Sequence, residues 1–339
     1  MASRDPILVD LALQGGGAHG AFTWGVLDRL LEEDWLRFDG ISGTSAGAMN
    51  GTVMVDGYSA DGADGARASL ETFWRKVSDA AKLSPFQRTP LDVLLGRWTL
   101  DYSPAFIAMD LMARVFSPYE LNPMDSNPLR NILAHCVDFE RLARANQAVH
   151  HGHQCPHGAR PCVSQQHHYA RRPARFGMPA DHVSSHTDRR RAVLGRRLFR
   201  HPTITPLVRE CTPKDTILIQ INPVHRHGTP RTARDILNRL NEVSFNSVLL
   251  KELRMIALLR QVANPGDCEG ALWAGMRIHR IPGEALGELG YSSKLNAEWE
   301  FLCMLRDQGR AAADTFLASS GPDVGRRSTL DLDPLLHGI

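Results

Sequence analysis

The tightest constraint on the fold lies in the first fifty residues, where two strand–glycine-turn–helix units follow one another. Residues 7–13 are a short aliphatic run, followed by Gln14-Gly15-Gly16-Gly17-Ala18-His19-Gly20 and then by Phe22, Val26, Leu27, Leu30 and Leu31 on one helical face. Residues 38–43 form a second strand, ending in Gly43-Thr44-Ser45-Ala46-Gly47 and small residues that continue as helix. Strands alternating with helices imply a parallel or mixed α/β sheet with helices on both faces. Further on, residues 216–221 and 276–281 have the β-branched density of buried strands. Residues 69–145 are helical in pattern, broken by six prolines, and 296–317 form a further helix. Residues 245–262 place Val248, Leu249, Leu253, Ile256 and Leu259 near one face, with Lys251, Arg254 and Arg260 elsewhere. That pattern predicts a helix covering a sheet rather than one lying on a membrane.

Gly43-Thr44-Ser45-Ala46-Gly47 is a G-x-S-x-G elbow. A nucleophilic serine must stand on a sharp strand-to-helix turn with its hydroxyl exposed, and its neighbours must be small because the backbone crowds there. Ser45 also opens a helix, where free N–H groups favour developing negative charge. Gly15, Gly16 and Gly17, on the turn after the first strand, can aim backbone N–H groups at an oxyanion. The competing reading is a dinucleotide fingerprint at Gly15, Gly17 and Gly20, with Glu33 or Asp39 as the ribose acid. It leaves the serine elbow at the end of the very next strand unexplained.

These residues resemble the bacterial branch of the patatin-like phospholipases. The resemblance rests on Gly15 to Phe22 as oxyanion loop and Gly43 to Gly47 as nucleophile elbow, and extends over Leu218 to Arg226 and Ser292 to Asn296. His19 stands where plant members carry Arg. The resemblance implies a three-layer α/β/α fold with a central, mostly parallel sheet, and hydrolysis of lipid acyl esters by a Ser-Asp dyad. The family's aspartate lies in an Asp-Gly-Gly or Asp-Gly-Ala motif ahead of the strand equivalent to residues 216–221. No such motif stands just ahead of that strand here, where Asp181, Asp188 and Asp215 have no glycine after them.

Charge points to the reason. Formal net charge is +2, yet residues 147–201 hold ten Arg, no Lys, no Glu, two Asp and nine of the fifteen His; this block is +8 and the remainder −6. The chain uses 34 Arg against 5 Lys, the signature of GC-rich coding, whose out-of-frame readings stay open and fill with Arg, Pro, His and Gly. Read from the second base of each codon, residues 175–185 permit Ala-Ser-Ala-Cys-Leu-Pro-Thr-Met-Phe-Gln-Ala. Residues 149–156 permit the buried strand Phe-Ile-Thr-Ala-Thr-Asn-Val-Arg. Residues 193–200 permit Tyr-Trp-Asp-Gly-Gly-Tyr-Ser-Gly, which contains the missing motif, its Asp codon straddling Gly195 and Arg196. The pattern implies a frameshift near 146–149, reversed near His201, and a block that does not fold compactly.

The alternative functions of the block are weaker. His150, His151, His153, Cys155 and His157 offer zinc-ligand chemistry without a tetrahedral scaffold. The Arg clusters resemble a nucleic-acid footprint, but the interleaved Pro, Gly and His supply no fold to present it. Cys136, Cys155, Cys162, Cys211, Cys268 and Cys303 have no paired spacing, as free thiols in a reducing compartment would. No run approaches the roughly 18 apolar residues of a membrane span.

The expectation is therefore a patatin-like acyl hydrolase domain over 1–320, interrupted by the aberrant segment 147–201 and followed by a tail over 321–339. Ser45 is the nucleophile, Gly15, Gly16 and Gly17 the oxyanion hole, and Gly43 and Gly47 the elbow glycines, with no cofactor and no metal. The partner is a lipid or phospholipid at a membrane surface, not nucleic acid, and the location is cytoplasmic or peripheral to a membrane. The other class of function is a non-catalytic protein whose basic His/Arg insert binds anionic partners. Deleting 147–201 would cost such a protein a salt-sensitive partner and leave its fold.

Overall fold

The computed structural model describes residues 4–112, 128–142, 204–224, 226, 228–263 and 268–336. The frameshift reading, Asp181, Asp188 and the His150–His157 group fall outside the described residues.

Among the described residues four parallel strands form the sheet, in the order β2-β1-β3-β4: β1 (Ile7–Leu13), β2 (Leu36–Gly43), β3 (Asp215–Gln220) and β4 (Arg277–Pro282). All four strand expectations fall within two residues of these bounds. The two-residue period sorts the side chains into two cores. Val9, Leu11, Leu13, Ile217 and Ile219 face a core shared with α1 (Gly20–Leu30) and α2 (Ala46–Ala81), completed by α9 (Trp299–Ser319). Ala12, Leu218 and Ile278 face a second core, closed by α6 (Thr205–Glu210) and α7 (Ala233–Val262). The fold is thus the expected three-layer α/β/α arrangement, with a sheet whose described strands are all parallel.

Between α2 and α6 lie the short helices α3 (Pro90–Leu94), α4 (Pro104–Met112) and α5 (Pro128–Cys136), each opening on one of the prolines that break the sequence pattern; α8 (Cys268–Ala274) precedes β4. Helix α2 bends where Asp61 and Gly62 leave helical geometry. Helix α7 begins twelve residues before the expected 245, because Thr232 accepts from the Asp235 N–H at 3.1 Å and caps it. In α7, Leu249, Leu253 and Ile256 are buried against the sheet while Val248 stays exposed. Helices α1 and α9 cross with backbones almost touching: a side chain on Gly25 would strike the Arg306 carbonyl, and one on Gly309 the Phe22 carbonyl. The stretch expected as a tail packs on the sheet as far as Leu332, with the Thr329 and Leu330 N–H groups donating to the Ile278 carbonyl. Among the described residues, Cys136, Cys211 and Cys303 form no disulfide.

Candidate active site

Leu13 pairs with both Gly43 and Ile219, so the segments following β1, β2 and β3 leave the sheet together at its C-terminal edge. Ligand sites of open parallel sheets form at that edge. Three loops converge there: Gln14–Gly17, Thr44–Ser45 and Ile221–Pro223.

Ser45 caps α2 with φ 50° and ψ −122°, and among the described residues it is the one non-glycine with positive φ. Such a conformation costs on the order of 1–3 kcal/mol and persists only where the surroundings over-determine it. They do so here: the Thr44 N–H donates to the Leu13 carbonyl at 3.2 Å, the Gly47 N–H to the Thr44 carbonyl at 2.9 Å, and the Met49 N–H to the Ser45 carbonyl at 3.0 Å. Gly47 is packed on the end of β1, where any side chain would meet the Leu13 carbonyl oxygen. The Ser45 hydroxyl is partly exposed and bonds no neighbour among the described residues.

The glycine loop faces this turn. A Cβ on Gly15 would lie 2.6 Å from the Thr44 oxygen and 3.0 Å from the Ser45 Cβ. Gly17 has φ +60° and lies against the Lys294 carbonyl oxygen, so only glycine fits without moving the 291–295 turn. Gly15 and Gly16 are buried, yet their N–H groups make no hydrogen bond among the described residues. Buried backbone donors are ordinarily paired, and an unpaired set at a sheet edge suits an incoming oxyanion.

A buried amide network holds the loop. The Gln14 side-chain oxygen accepts from the N–H groups of Ile221 at 2.8 Å and Asn222 at 2.7 Å, and its NH2 donates to Asn246 at 2.8 Å. Asn222 donates to the Gly15 carbonyl at 3.0 Å and accepts from the Lys294 ammonium at 2.7 Å. Because a trans peptide points its C=O and N–H in opposite directions, fixing the Gly15 carbonyl on Asn222 turns the Gly16 N–H away from Asn222. Burial pulls the Lys294 pKa down to about 8, the Glu242 carboxylate opposing the shift and Arg226 adding to it. Glu242 in turn pairs with Arg226 at 2.7 Å and Arg239 at 3.3 Å.

His19 lies under the loop, with its Nε2 2.8 Å from the Ser293 hydroxyl oxygen and its ring edge-on to Phe301. Ser293 spends its own proton on the Gly290 carbonyl at 2.6 Å, so His19 is the donor and carries its hydrogen on Nε2. Burial, with a smaller contribution from Lys294, lowers the His19 pKa to about 3. The imidazole is neutral at physiological pH and anchors the turn between β1 and α1.

Asp215 occupies the opposite end of the sheet. It pairs with Arg277 in the β3–β4 register and sits four residues before Ile219, about 13 Å of strand from the site edge. It accepts from Arg277 Nε at 2.9 Å, His279 Nε2 at 3.0 Å and the Gly325 N–H at 2.9 Å. Burial works against its charge, but these three donors outweigh it and hold the carboxyl below its ordinary pKa. Asp215 is a sheet-edge anchor and cannot serve Ser45. The acids of the dinucleotide alternative are placed no better. Glu33 bonds Arg29 and Trp35 before β2 begins, and Asp39 lies within β2 and accepts from the Thr212 N–H at 3.0 Å.

The parallel α/β/α sheet, with a strained serine turn and a glycine loop meeting at its C-terminal edge, has the patatin-type architecture. The chain belongs to the patatin-like phospholipase family, whose model matches residues 11–217, a span that includes the 147–201 block. Membership places it among lipid acyl hydrolases. No curated protein and no solved structure matches the chain, and among the described residues no helix is long and apolar enough to cross a membrane.

Proposed function

We propose that Ser45 is the nucleophile of a lipid carboxylic-ester hydrolase of phospholipase A or non-specific esterase type. Its hydroxyl gives up its proton to a general base and attacks the ester carbonyl, the N–H groups of the Gly15–Gly17 loop receive the oxyanion, the C–O bond breaks as the alcohol leaves with that proton, and water then hydrolyses the acyl-enzyme to the free acid and Ser45. The observation that carries this reading is the positive-φ Ser45 turn set against buried, unpaired N–H groups of Gly15 and Gly16.

The proton acceptor is the incomplete part. Among the described residues no carboxylate bonds Ser45, and Asp215 lies at the far end of the sheet. The general base is the Asp of the Asp-Gly-Gly motif hidden across Gly195 and Arg196, so this chain is inactive and its frame-restored form is active. The domain runs over 1–320 around the block, at a lipid surface. Hydrolysis of a short-chain p-nitrophenyl ester by the chain, by the frame-restored protein and by Ser45→Ala in each tests the proposal. Activity confined to the frame-restored protein and abolished by Ser45→Ala is expected. Comparable Ser45-dependent turnover in the chain as it stands would overturn the frame argument, and Ser45-independent turnover the nucleophile assignment.

A further inference from the structure

Residues 82–112 are built inside out. In α3 the carboxylate is buried and the leucines are not: Asp92 is 1% exposed, accepting from the Thr89 hydroxyl at 2.5 Å, whereas Leu94 is 82% exposed and Leu91 and Leu95 more than half. Helix α4 buries Phe106 and leaves Ile107, Leu111 and Met112 outside. A surface helix ordinarily turns its apolar stripe to the core, and soluble proteins rarely display an apolar patch of this kind without a partner for it.

The segment is no loose appendage. Arg88 forms a two-pronged pair with Glu298, at 2.7 and 2.5 Å, and stacks its guanidinium 4.1 Å over Trp98. The Leu100 N–H donates to Ser292 at 3.0 Å and Asn296 donates to the Trp98 carbonyl at 3.1 Å. Those partners flank Lys294, whose carbonyl touches Gly17. The outward leucines are therefore fixed to the same turn that positions the glycine loop.

We propose that the outward face of α3 and α4 is a lipid-docking surface that seats the site on its substrate phase. The proposal rests on the lipid-hydrolase reading above. Charge argues for lipid over a polyanion: residues 82–112 carry three basic side chains (Lys82, Arg88, Arg97) and three acidic ones (Asp92, Asp101, Asp110), a neutral balance suited to a zwitterionic bilayer.

The test is co-sedimentation of the full chain with phosphatidylcholine vesicles at low and high salt, comparing wild type, Leu91→Glu/Leu94→Glu and Ser45→Ala. Wild type and Ser45→Ala should bind alike and independently of salt, while the double variant binds about tenfold more weakly or worse with an unchanged circular dichroism spectrum. Equal binding by wild type and double variant would overturn the docking surface. So would a wild-type dimer that the double variant dissolves without loss of vesicle binding, or a fall in melting temperature showing that the leucines are covered by the chain itself. Because binding needs no turnover, loss of this inference leaves the Ser45 chemistry standing, and an inactive Ser45 leaves the binding result readable.

Discussion

At the scale of single residues, the site depends on a few positions where the backbone is forced. Ser45 keeps its positive φ because Gly47 lets α2 start directly against the end of β1. Gly47→Ala should cost about 2 kcal/mol in urea unfolding, since the methyl group must displace the Leu13 carbonyl; a loss under about 0.5 kcal/mol would mean that the turn is slack. His19 makes a pH-dependent contribution. The unfolded imidazole titrates near 6.5 and the folded one near 3, so between those values the unfolded chain binds a proton that the folded chain refuses. Stability is unaffected by this group above pH ~6.5 and falls below it by at most roughly 1.4 kcal/mol per pH unit. His19→Gln, which keeps a donor for Ser293, should flatten the decline in urea midpoint between pH 7 and pH 5 relative to wild type. The Ser45 turn with Gly43 and Gly47, and the Gly15–Gly17 loop, are legible in the sequence because tight strand-to-helix turns and glycine runs are local motifs. Gln14, Asn222, Asn246 and Lys294 are not, because their roles rest on hydrogen bonds between residues more than twenty positions apart.

At the scale of elements, strands are read better than helix ends. A buried parallel strand is a short apolar run, and β1 and β3 announce themselves that way, whereas β2 with Arg37 and Asp39 and β4 with Arg277, His279 and Arg280 are interrupted by charge or imidazole. Helix α7 is only half visible, since residues 233–244 lack a clean apolar face: Ile236, Leu237 and Leu240 are exposed, and Glu242 turns inward to meet Arg226 and Arg239. The α1–α9 crossing is hidden in the sequence altogether. Nothing about Gly25 or Gly309 taken separately says that each sits against the other helix's backbone. Gly309→Ala should push the pair apart at a cost of about 1–3 kcal/mol, with thermal unfolding as the measurement. An unchanged midpoint would show that the helices slide without penalty.

At the scale of the molecule, the sheet separates the edge that carries the Ser45 turn and the glycine loop from an anchoring edge. Asp215 ties β3 to β4 through Arg277 and His279, and to the C-terminal stretch through the Gly325 N–H. With its pKa held below the unfolded value near 3.9, Asp215 stabilises the fold fully above that pH and loses the contribution as pH falls through the folded pKa. Asp215→Asn should therefore be less stable than wild type by about 3 kcal/mol at pH 7, with the gap narrowing below pH 4. A gap that widens on acidification would contradict this account. The sequence alone determined the class of fold, the family and the serine with its glycine loop, because hydrophobic period and tight-turn chemistry are written locally. Only the tertiary structure decided that Asp215 anchors the wrong edge to be a base, that Lys294 and Asn222 hold the glycine loop, and that α3 turns its leucines outward. Each of those depends on which distant residues the parallel crossovers bring together, and no local pattern carries that information.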